Sequence, residues 1–594
     1  MPLRKREITA LLREIATLLE LKGENPFKTR AYLSGARALE QMEVNWEARV
    51  TSGGLRKVKG IGERLAETIE TLYQTGHLEF YETLRASIPT GLLTLLEIES
   101  LGAKKVNILH EQLGISTVEE LISGCQSGRV AALAGFGPKS VERILTNVHK
   151  REAYAQRCLG WEAIPIAEAL LKDLRAIEAV EQAAYAGSLR RRMETVSNVD
   201  VLAASERPQV IVEALTRMDA VASVTARRAT KASVRLENGL QVDMRVVEKK
   251  FFFTALHHFT GSQTHNIQMQ RRAREQGWRL SQWGLTPIHT DVVEAGKTAA
   301  AVPSNMTVPK SEEDLFQSLG LDYIPPELRE GRGEIAAAAS GTLPRLVEEE
   351  DIRGVFHVHT TASDGHNTLE EMVEAAEALG WTYLGIADHS KSSVQANGLE
   401  AERLIQQVEQ IRALNASGKF CTHVFAGTEC DILPDGSLDF DNAVLKELDY
   451  VVASVHSSFG QSQESMTARI IRAIEHPYTT IVGHLTGRLL LRREPYKVDA
   501  QKVIDAAIAC GKVIELNANP RRLDMDWRLW QQAIEKGLKC SINPDAHSTK
   551  GLGFYRAGVH AARKGWVTRE AVVNTLDLES VTAFLDAMRR NTLQ

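Results

Sequence analysis

In the stretch Phe356-His357-Val358-His359-Thr360-Thr361-Ala362-Ser363-Asp364-Gly365, two histidines separated by one residue follow the apolar pair Val355-Phe356. Alternate residues of an extended chain share a side, so both imidazoles can reach one metal ion. A lone His-x-His is a weak signal, because a solvated pair on a short strand has the same pattern. Its weight comes from repetition downstream. Leu384-Gly385-Ile386-Ala387 ends on Asp388-His389, Val451-Val452-Ala453-Ser454-Val455 on His456, and Thr480-Ile481-Val482-Gly483 on His484. Cys540-Ser541-Ile542-Asn543 leads to Asp545-Ala546-His547, and Glu429 follows Val424-Phe425-Ala426-Gly427-Thr428. Metal-binding side chains at the end of strand after strand are what a barrel with its site on the carboxyl-end face requires.

Within this half of the chain, Thr368-Leu369-Glu370-Glu371 is a capping box that starts a helix, and Gly380 ends that helix before the strand carrying Asp388-His389. Strand, metal-type residue, helix, glycine and strand again is alternating α/β order. His357, His359, Asp364, His389, Glu429, His456, His484, Asp545 and His547 resemble the full ligand set of the polymerase and histidinol phosphatase (PHP) domain. That resemblance implies a distorted (β/α)7 barrel holding three divalent ions and cleaving phosphoesters. It implies that Glu429 bridges two ions, with His357, His359 and Asp545 completing the first. His456 and His484 would serve the second ion, and Asp364, His389 and His547 the third. Mixed imidazole and carboxylate ligands suit manganese, zinc or iron, and the residue types do not choose among them.

At 594 residues the chain is too long for one core. A hydrophobic content of 43% with 25% charged residues is that of an ordinary globular protein. No apolar run approaches the roughly 18 residues of a membrane span. The amino terminus leads into an amphipathic helix, not a secretory core. Six scattered cysteines without a Cys-x-x-Cys pair fit a reducing cytoplasm. The net charge of −5 leaves nucleic-acid binding to be argued from motifs.

The amino-terminal half supplies them. Ile8, Leu11, Leu12, Ile15, Leu18 and Leu19 recur at helical spacing, Gly23 stops that helix, and Asn25-Pro26 opens the next. Val58-Lys59-Gly60-Ile61-Gly62-Glu63-Arg64 has the form of a helix-hairpin-helix, whose glycines let backbone amides approach a phosphate at a helix start. Leu133-Ala134-Gly135-Phe136-Gly137-Pro138 repeats it. A third copy, Ser100-Leu101-Gly102-Ala103, has lost its first glycine, which leaves a purely structural role open. Such hairpins grip the DNA backbone without reading sequence.

Ala186-Gly187-Ser188-Leu189-Arg190-Arg191 and Ser197-Asn198-Val199-Asp200 are similar to the Gly-Ser loop and carboxylate strand of nucleotidyltransferases, and Asp243 stands on a second alternating strand. With His258-Phe259-Thr260-Gly261-Ser262 and Leu321-Asp322-Tyr323-Ile324, the whole chain resembles a bacterial family X DNA polymerase with a carboxyl-terminal PHP domain. The expected fold class is multidomain α+β. The expected divisions are 1–90, a helical DNA-end-binding domain; 91–150, a second hairpin region; and 151–260, a nucleotidyltransferase palm. A thumb at 261–330, a linker at 331–350 and the PHP domain at 351–594 follow. The resemblance implies magnesium or manganese on Asp200 and Asp243. A deoxynucleotide would lie against Gly187, Ser188, Arg191, His258, Phe259 and Gly261. Gapped or 3′-recessed DNA would lie on Lys28, Tyr32, Gly60, Gly62, Arg64, Gly135 and Gly137. A cytoplasmic monomer without a membrane partner is expected.

Two departures matter. The family holds its palm metals with three aspartates, whereas the first position here is Asn198 beside Asp200 and Asp243. An amide oxygen ligates without charge, so gap-filling synthesis is expected to be impaired. The lysine of the family's 5′-deoxyribose-phosphate lyases is replaced by Thr68, which cannot form an imine. Lys28, Tyr32 and Arg64 remain suited to a 5′-phosphate, or equally to a solvated helix face. The leading expectation is therefore a repair enzyme whose PHP site degrades DNA from 3′ ends, with abasic-site incision as a further activity. The alternatives are a competent gap-filling polymerase that proofreads, a DNA-end scaffold, and a small-molecule phosphoesterase.

Overall fold

A computed structural model describes residues 5–40, 42, 46–58, 61–98, 100–288 and 306–590. They divide into two compact units, Met1–Gln156 and Arg157–Gln594. The first is helical throughout its described residues. Its opening helix, Lys5–Leu21, buries Ile8 and Leu12 in one apolar cluster and Ile15, Leu18 and Leu19 in another. Gly23 takes φ +67° after it, and the Asn25 side chain accepts from the Phe27 amide at 2.9 Å, opening the helix Pro26–Glu40.

The hairpins end on glycine-capped helices. Gly62, Gly102 and Gly137 are extended residues at the starts of Glu63–Thr75, Ala103–Leu113 and Pro138–Ala155, and none of these starts carries a side-chain cap. Gly135 takes φ +87° and Ser100 takes φ +83°, so the third copy keeps the left-handed turn although its glycine is gone. Gly60 lies outside the described residues.

The second unit begins with a five-stranded sheet in the spatial order Gln182–Tyr185, Asn198–Ala204, Gln241–Val247, Lys231–Leu236, Val221–Arg228. Asn198–Ala204 and Gln241–Val247 run parallel, with Asp200 directly opposite Asp243. The helices Phe252–Thr260 and Gln263–Glu275 follow, then a core around Met269, Leu315, Phe316 and Ile324. Residues 331–350 include the helix Glu334–Ser340, whose Ala338 joins this core and whose buried Glu334 pairs with His265 at 2.9 Å.

Seven parallel strands complete the unit in chain order: Gly354–Val355, Tyr383–Ile386, His423–Asp431, Tyr450–Ser454, Ile481–Val482, Val513–Asn517 and Lys539–Asn543. A parallel bridge between Val358 and Ala546 draws the last strand back to the first, with the His359 amide 2.9 Å from the Ala546 carbonyl. The Thr368 hydroxyl accepts from the Glu371 amide and the Thr368 amide donates to the Glu371 carboxylate, forming the capping box of Leu369–Ala378. Tyr450 fills the barrel floor, its hydroxyl donating to the carbonyls of Phe356 at 2.6 Å and Ile386 at 2.8 Å. A Cβ on Gly427 would lie 2.4 Å from the Tyr450 ring, which is why that strand carries glycine there. An apolar cluster with Tyr450 fills the amino-terminal end of the barrel, opposite the carboxyl ends of the strands. No helix among the described residues is long and apolar enough to cross a membrane.

Candidate metal centre and nucleotide pocket

All nine residues singled out in the barrel converge on its carboxyl-end face, around Glu429. Its Oε1 lies 2.8 Å from His484 Nε2, 3.1 Å from His456 Nε2 and 3.3 Å from His357 Nε2. Its Oε2 lies 2.9 Å from His389 Nδ1 and 3.8 Å from His359 Nε2. Asp545 Oδ1 stands 3.3 Å from His359 Nε2 and 3.8 Å from His357 Nε2. Asp364 Oδ1 stands 3.3 Å from His547 Nε2 and 3.6 Å from His389 Nε2. His359 packs on His547 and His389, with ring centres 4.2 and 4.5 Å apart, and so stands between the two ends of the cluster.

Among the described residues, buried nitrogens of His357, His359, His389 and His484 and one oxygen of Asp364 make no hydrogen bond of acceptable geometry. Polar atoms are seldom buried without one. Three overlapping sets, His359 with Asp364, His389 and His547, His357 with His359 and Glu429, and His389 with Glu429 and His456, have the spacing and chemistry of metal sites. The residues fit divalent ions.

The cluster is held by partners that local sequence does not announce. The Asp431 carboxylate lies 3.0 Å from His456 Nδ1, and that of Glu515 lies 2.7 Å from His357 Nδ1. Arg522 pairs with Asp545 at 3.2 Å. Asp388, which ends its strand like a ligand, instead turns away from the cluster. It accepts from the Thr360 amide at 2.8 Å, the Thr360 hydroxyl at 2.6 Å, Ser363 and Gln407, and so ties down the loop that carries Asp364. Burial disfavours the charged form of His359, and with His547 and His389 beside it the imidazole falls to about 4.

In the palm, Gly187, Ser188, Arg191, Asp200, His258, Phe259 and Gly261 line one cavity of about 520 Å³. Gly187 takes φ +61°, and a Cβ there would strike the Asp200 carboxylate at 2.0 Å. The Asn198 amide donates to Asp200 Oδ1 at 3.1 Å and to Asp243 Oδ2 at 2.9 Å, spending both its hydrogens on the two carboxylates. Ser233 and Gln241 also donate to Asp243. Burial, and then the neighbouring Asp243, raise the Asp200 carboxyl above its ordinary range.

In the first unit, Lys28 pairs with Glu24 at 3.9 Å, Arg64 is exposed, and Tyr32 is half-buried against the helical cores. The Thr68 hydroxyl donates to the Arg64 carbonyl at 2.9 Å. Among the described residues, nothing within 4 Å would obstruct a side chain on Gly62 or Gly137, and both helix starts present their backbone.

Family models match along the chain: a helix-hairpin-helix domain over residues 4–78, a SAM-like helix-hairpin-helix tandem over 92–147, the DNA polymerase beta thumb over 255–330 and the PHP domain over 356–519. The DNA polymerase/3′-5′ exonuclease PolX of Bacillus subtilis is 38% identical over 98% of this chain and 99% of its own length. A probable phosphatase of Caldicellulosiruptor bescii is 34% identical over 39% of this chain and 93% of its own. A probable phosphatase of Thermoanaerobacter sp. is 27% identical over 39% of this chain and 94% of its own.

Proposed function

Since the chain belongs to the family of the bacterial DNA polymerase/3′-5′ exonuclease PolX, we propose that its main working centre is the barrel cluster, which removes nucleotides from the 3′ ends of gapped or recessed DNA. The observation that carries this is the convergence of His357, His389, His456 and His484 on the single carboxylate of Glu429, within 3.3 Å. Glu429 with His357, His359 and Asp545 would hold one ion, His456 and His484 a second, and Asp364, His389 and His547 a third. Manganese, zinc or iron would suit these ligands. Held there, divalent ions would supply an acidified water and offset charge on phosphoryl oxygens. The chain's own part is orientation: Asp431 and Glu515 fix the rings of His456 and His357, and the Tyr450 floor closes the barrel beneath them. Incision at abasic sites belongs to the same reading. The hairpins of the first unit would grip the backbone through Gly62 and Gly137, and the chain would act as a cytoplasmic monomer with its six cysteines unpaired.

Gap-filling synthesis in the palm is impaired in this reading. Asp200 and Asp243 would hold magnesium or manganese beside a deoxynucleotide, but the Asn198 amide turns two hydrogens toward them where the family has a third carboxylate. An N–H donor between two carboxylates competes with the cation and adds no negative charge. The intact pocket of Gly187, Ser188 and Arg191 favours a second reading, a polymerase slowed but working, with the barrel editing its product.

The test measures gap filling and 3′ degradation side by side, with manganese and with magnesium. Combining Glu429→Ala and His357→Ala should abolish degradation and leave affinity for gapped DNA within about threefold, since neither residue grips the backbone. Undiminished degradation by the purified double variant would remove the assignment to the barrel.

A further inference from the structure

The loop carrying Gly187, Ser188 and Arg191 is held from behind by the barrel. Lys564, at the end of the barrel helix Tyr555–Lys564, has a fully buried side chain. Its ammonium donates to Glu330 Oε1 at 2.5 Å, to the Arg191 carbonyl at 3.1 Å and to the Glu327 carbonyl at 3.4 Å. It lies 4.5 Å from the centre of the Trp527 ring. The same Glu330 oxygen accepts from Arg191 Nε at 3.0 Å, while Arg191 Nη1 donates to the Thr260 carbonyl at 2.5 Å. One carboxylate oxygen therefore serves two cations, one from the nucleotide pocket and one from the barrel. Farther along the loop, Arg488 of the barrel pairs with Glu194.

We propose that Lys564 is a positioning residue for the nucleotide site: by keeping Glu330 paired, it frees Arg191 to leave that carboxylate for the phosphates of an incoming nucleotide. Arg191 faces the pocket but has two of its nitrogens engaged, on Glu330 and on Thr260. Turning to a phosphate means abandoning a carboxylate that is only 14% exposed. An unpaired charge at such a site is costly, and the cost resists the turn. With Lys564 in place, Glu330 keeps a cation when Arg191 departs. The barrel thereby takes part in nucleotide binding without touching the nucleotide. The proposal rests on reading this pocket as a nucleotide site.

The experiment titrates a non-hydrolysable deoxynucleoside triphosphate analogue into the full chain bound to gapped DNA whose primer ends in a phosphorothioate. Arg191→Ala should abolish binding, which checks the underlying reading; no binding by the unaltered protein would remove that reading and the proposal together. Lys564→Met should weaken binding by about tenfold, with 3′ degradation retained as proof that the barrel is folded. Adding Glu330→Gln to Lys564→Met should restore the affinity, because no carboxylate is then left to hold Arg191. Glu330→Gln alone should bind at least as tightly as the unaltered protein, and this variant decides the matter if Lys564→Met fails to fold. Unchanged affinity in Lys564→Met, an unrescued double variant, or weakened binding in Glu330→Gln would each overturn the proposal.

Discussion

Glu515 Oε1 lies 2.7 Å from His357 Nδ1, which turns Nε2 of that ring toward Glu429. The same carboxylate accepts from Asn543 at 3.1 Å, from the His484 amide at 2.8 Å and from Asn517 at 3.1 Å. Every neighbour is a donor, so only a carboxylate satisfies them all. Glu515→Gln sets an NH₂ group against a donor whichever way it turns, and loosens His357 and the His484 backbone together. Metal affinity should fall by about 10- to 100-fold, the usual loss when a partner behind a ligating histidine is removed. Dialysis against graded chelator concentrations, followed by metal analysis, measures it; unchanged retention would show that Glu515 does not support the ligands.

Metal loading should release protons. Burial opposes charge on His456, but Glu429 and Asp431 outweigh it and hold this imidazole at about 10 in the metal-free protein. Burial opposes charge on His547 as well, and Asp364 and Asp545 outweigh it, holding His547 at about 9. Both rings are therefore cationic at neutral pH, and a ligand imidazole must be neutral. The proton is the competitor below these values and disappears as pH rises through them, so apparent metal affinity should climb from pH 7 toward pH 9. Calorimetric titrations in buffers of different ionisation enthalpy should give at least two protons released near pH 7. A value near zero would mean that these rings are neutral before the metal arrives.

Most of the candidate ligands were legible because they follow short apolar runs, and strand ends in a parallel barrel meet at one mouth; Asp364, on the loop after His359, was named through the family resemblance. Asp388 shows where that signal fails: it stands at a strand end yet serves Thr360, Ser363 and Gln407, a choice set by chi angles and by loop packing. Glu515, Asp431 and Lys564 lie in ordinary alternating or helical stretches, and their roles exist only once distant segments meet. Asn198, Asp200 and Asp243 could be read from strand alternation, but the amide spanning both carboxylates needed coordinates. Ser100 was obscured for another reason: φ +83° is rare for a residue with a Cβ, so a sequence without glycine there does not announce the left-handed turn that the backbone keeps.

The helix starts at Gly62 and Gly137 should contribute sequence-independent grip. Both have ordinary negative φ, −79° and −67°, and, among the described residues, open space where a Cβ would stand. Valine therefore fits each site in the free protein, while its side chain blocks a phosphate from the amides. Gly62→Val and Gly137→Val should each weaken gapped-DNA binding by roughly tenfold, equally for unrelated sequences, with thermal unfolding little changed. Fluorescence anisotropy on three unrelated duplexes provides the comparison. A loss confined to one of them would contradict backbone recognition.

The Asn198 amide is the feature of the palm whose replacement is most informative. Asp200 and Asp243 stand opposite one another on paired strands, and Gly187, Ser188 and Arg191 line the adjoining cavity. Asn198→Asp removes the donor that now spans the two carboxylates and supplies a third negative charge. In the metal-free protein that charge is repelled by its neighbours, so the melting temperature should drop and recover on adding manganese. Gap-filling synthesis should rise at least about tenfold, equivalent to roughly 1.4 kcal/mol of barrier. The comparison belongs in a Glu429→Ala background, where degradation cannot mask extension. If the protein with Asn198 already extends a primer as fast as the Asn198→Asp variant, the amide suffices, and a competent polymerase replaces the impaired one. If neither extends at all while the manganese-dependent recovery is present, the palm binds metal but fails at a later step, and the defect lies beyond Asn198.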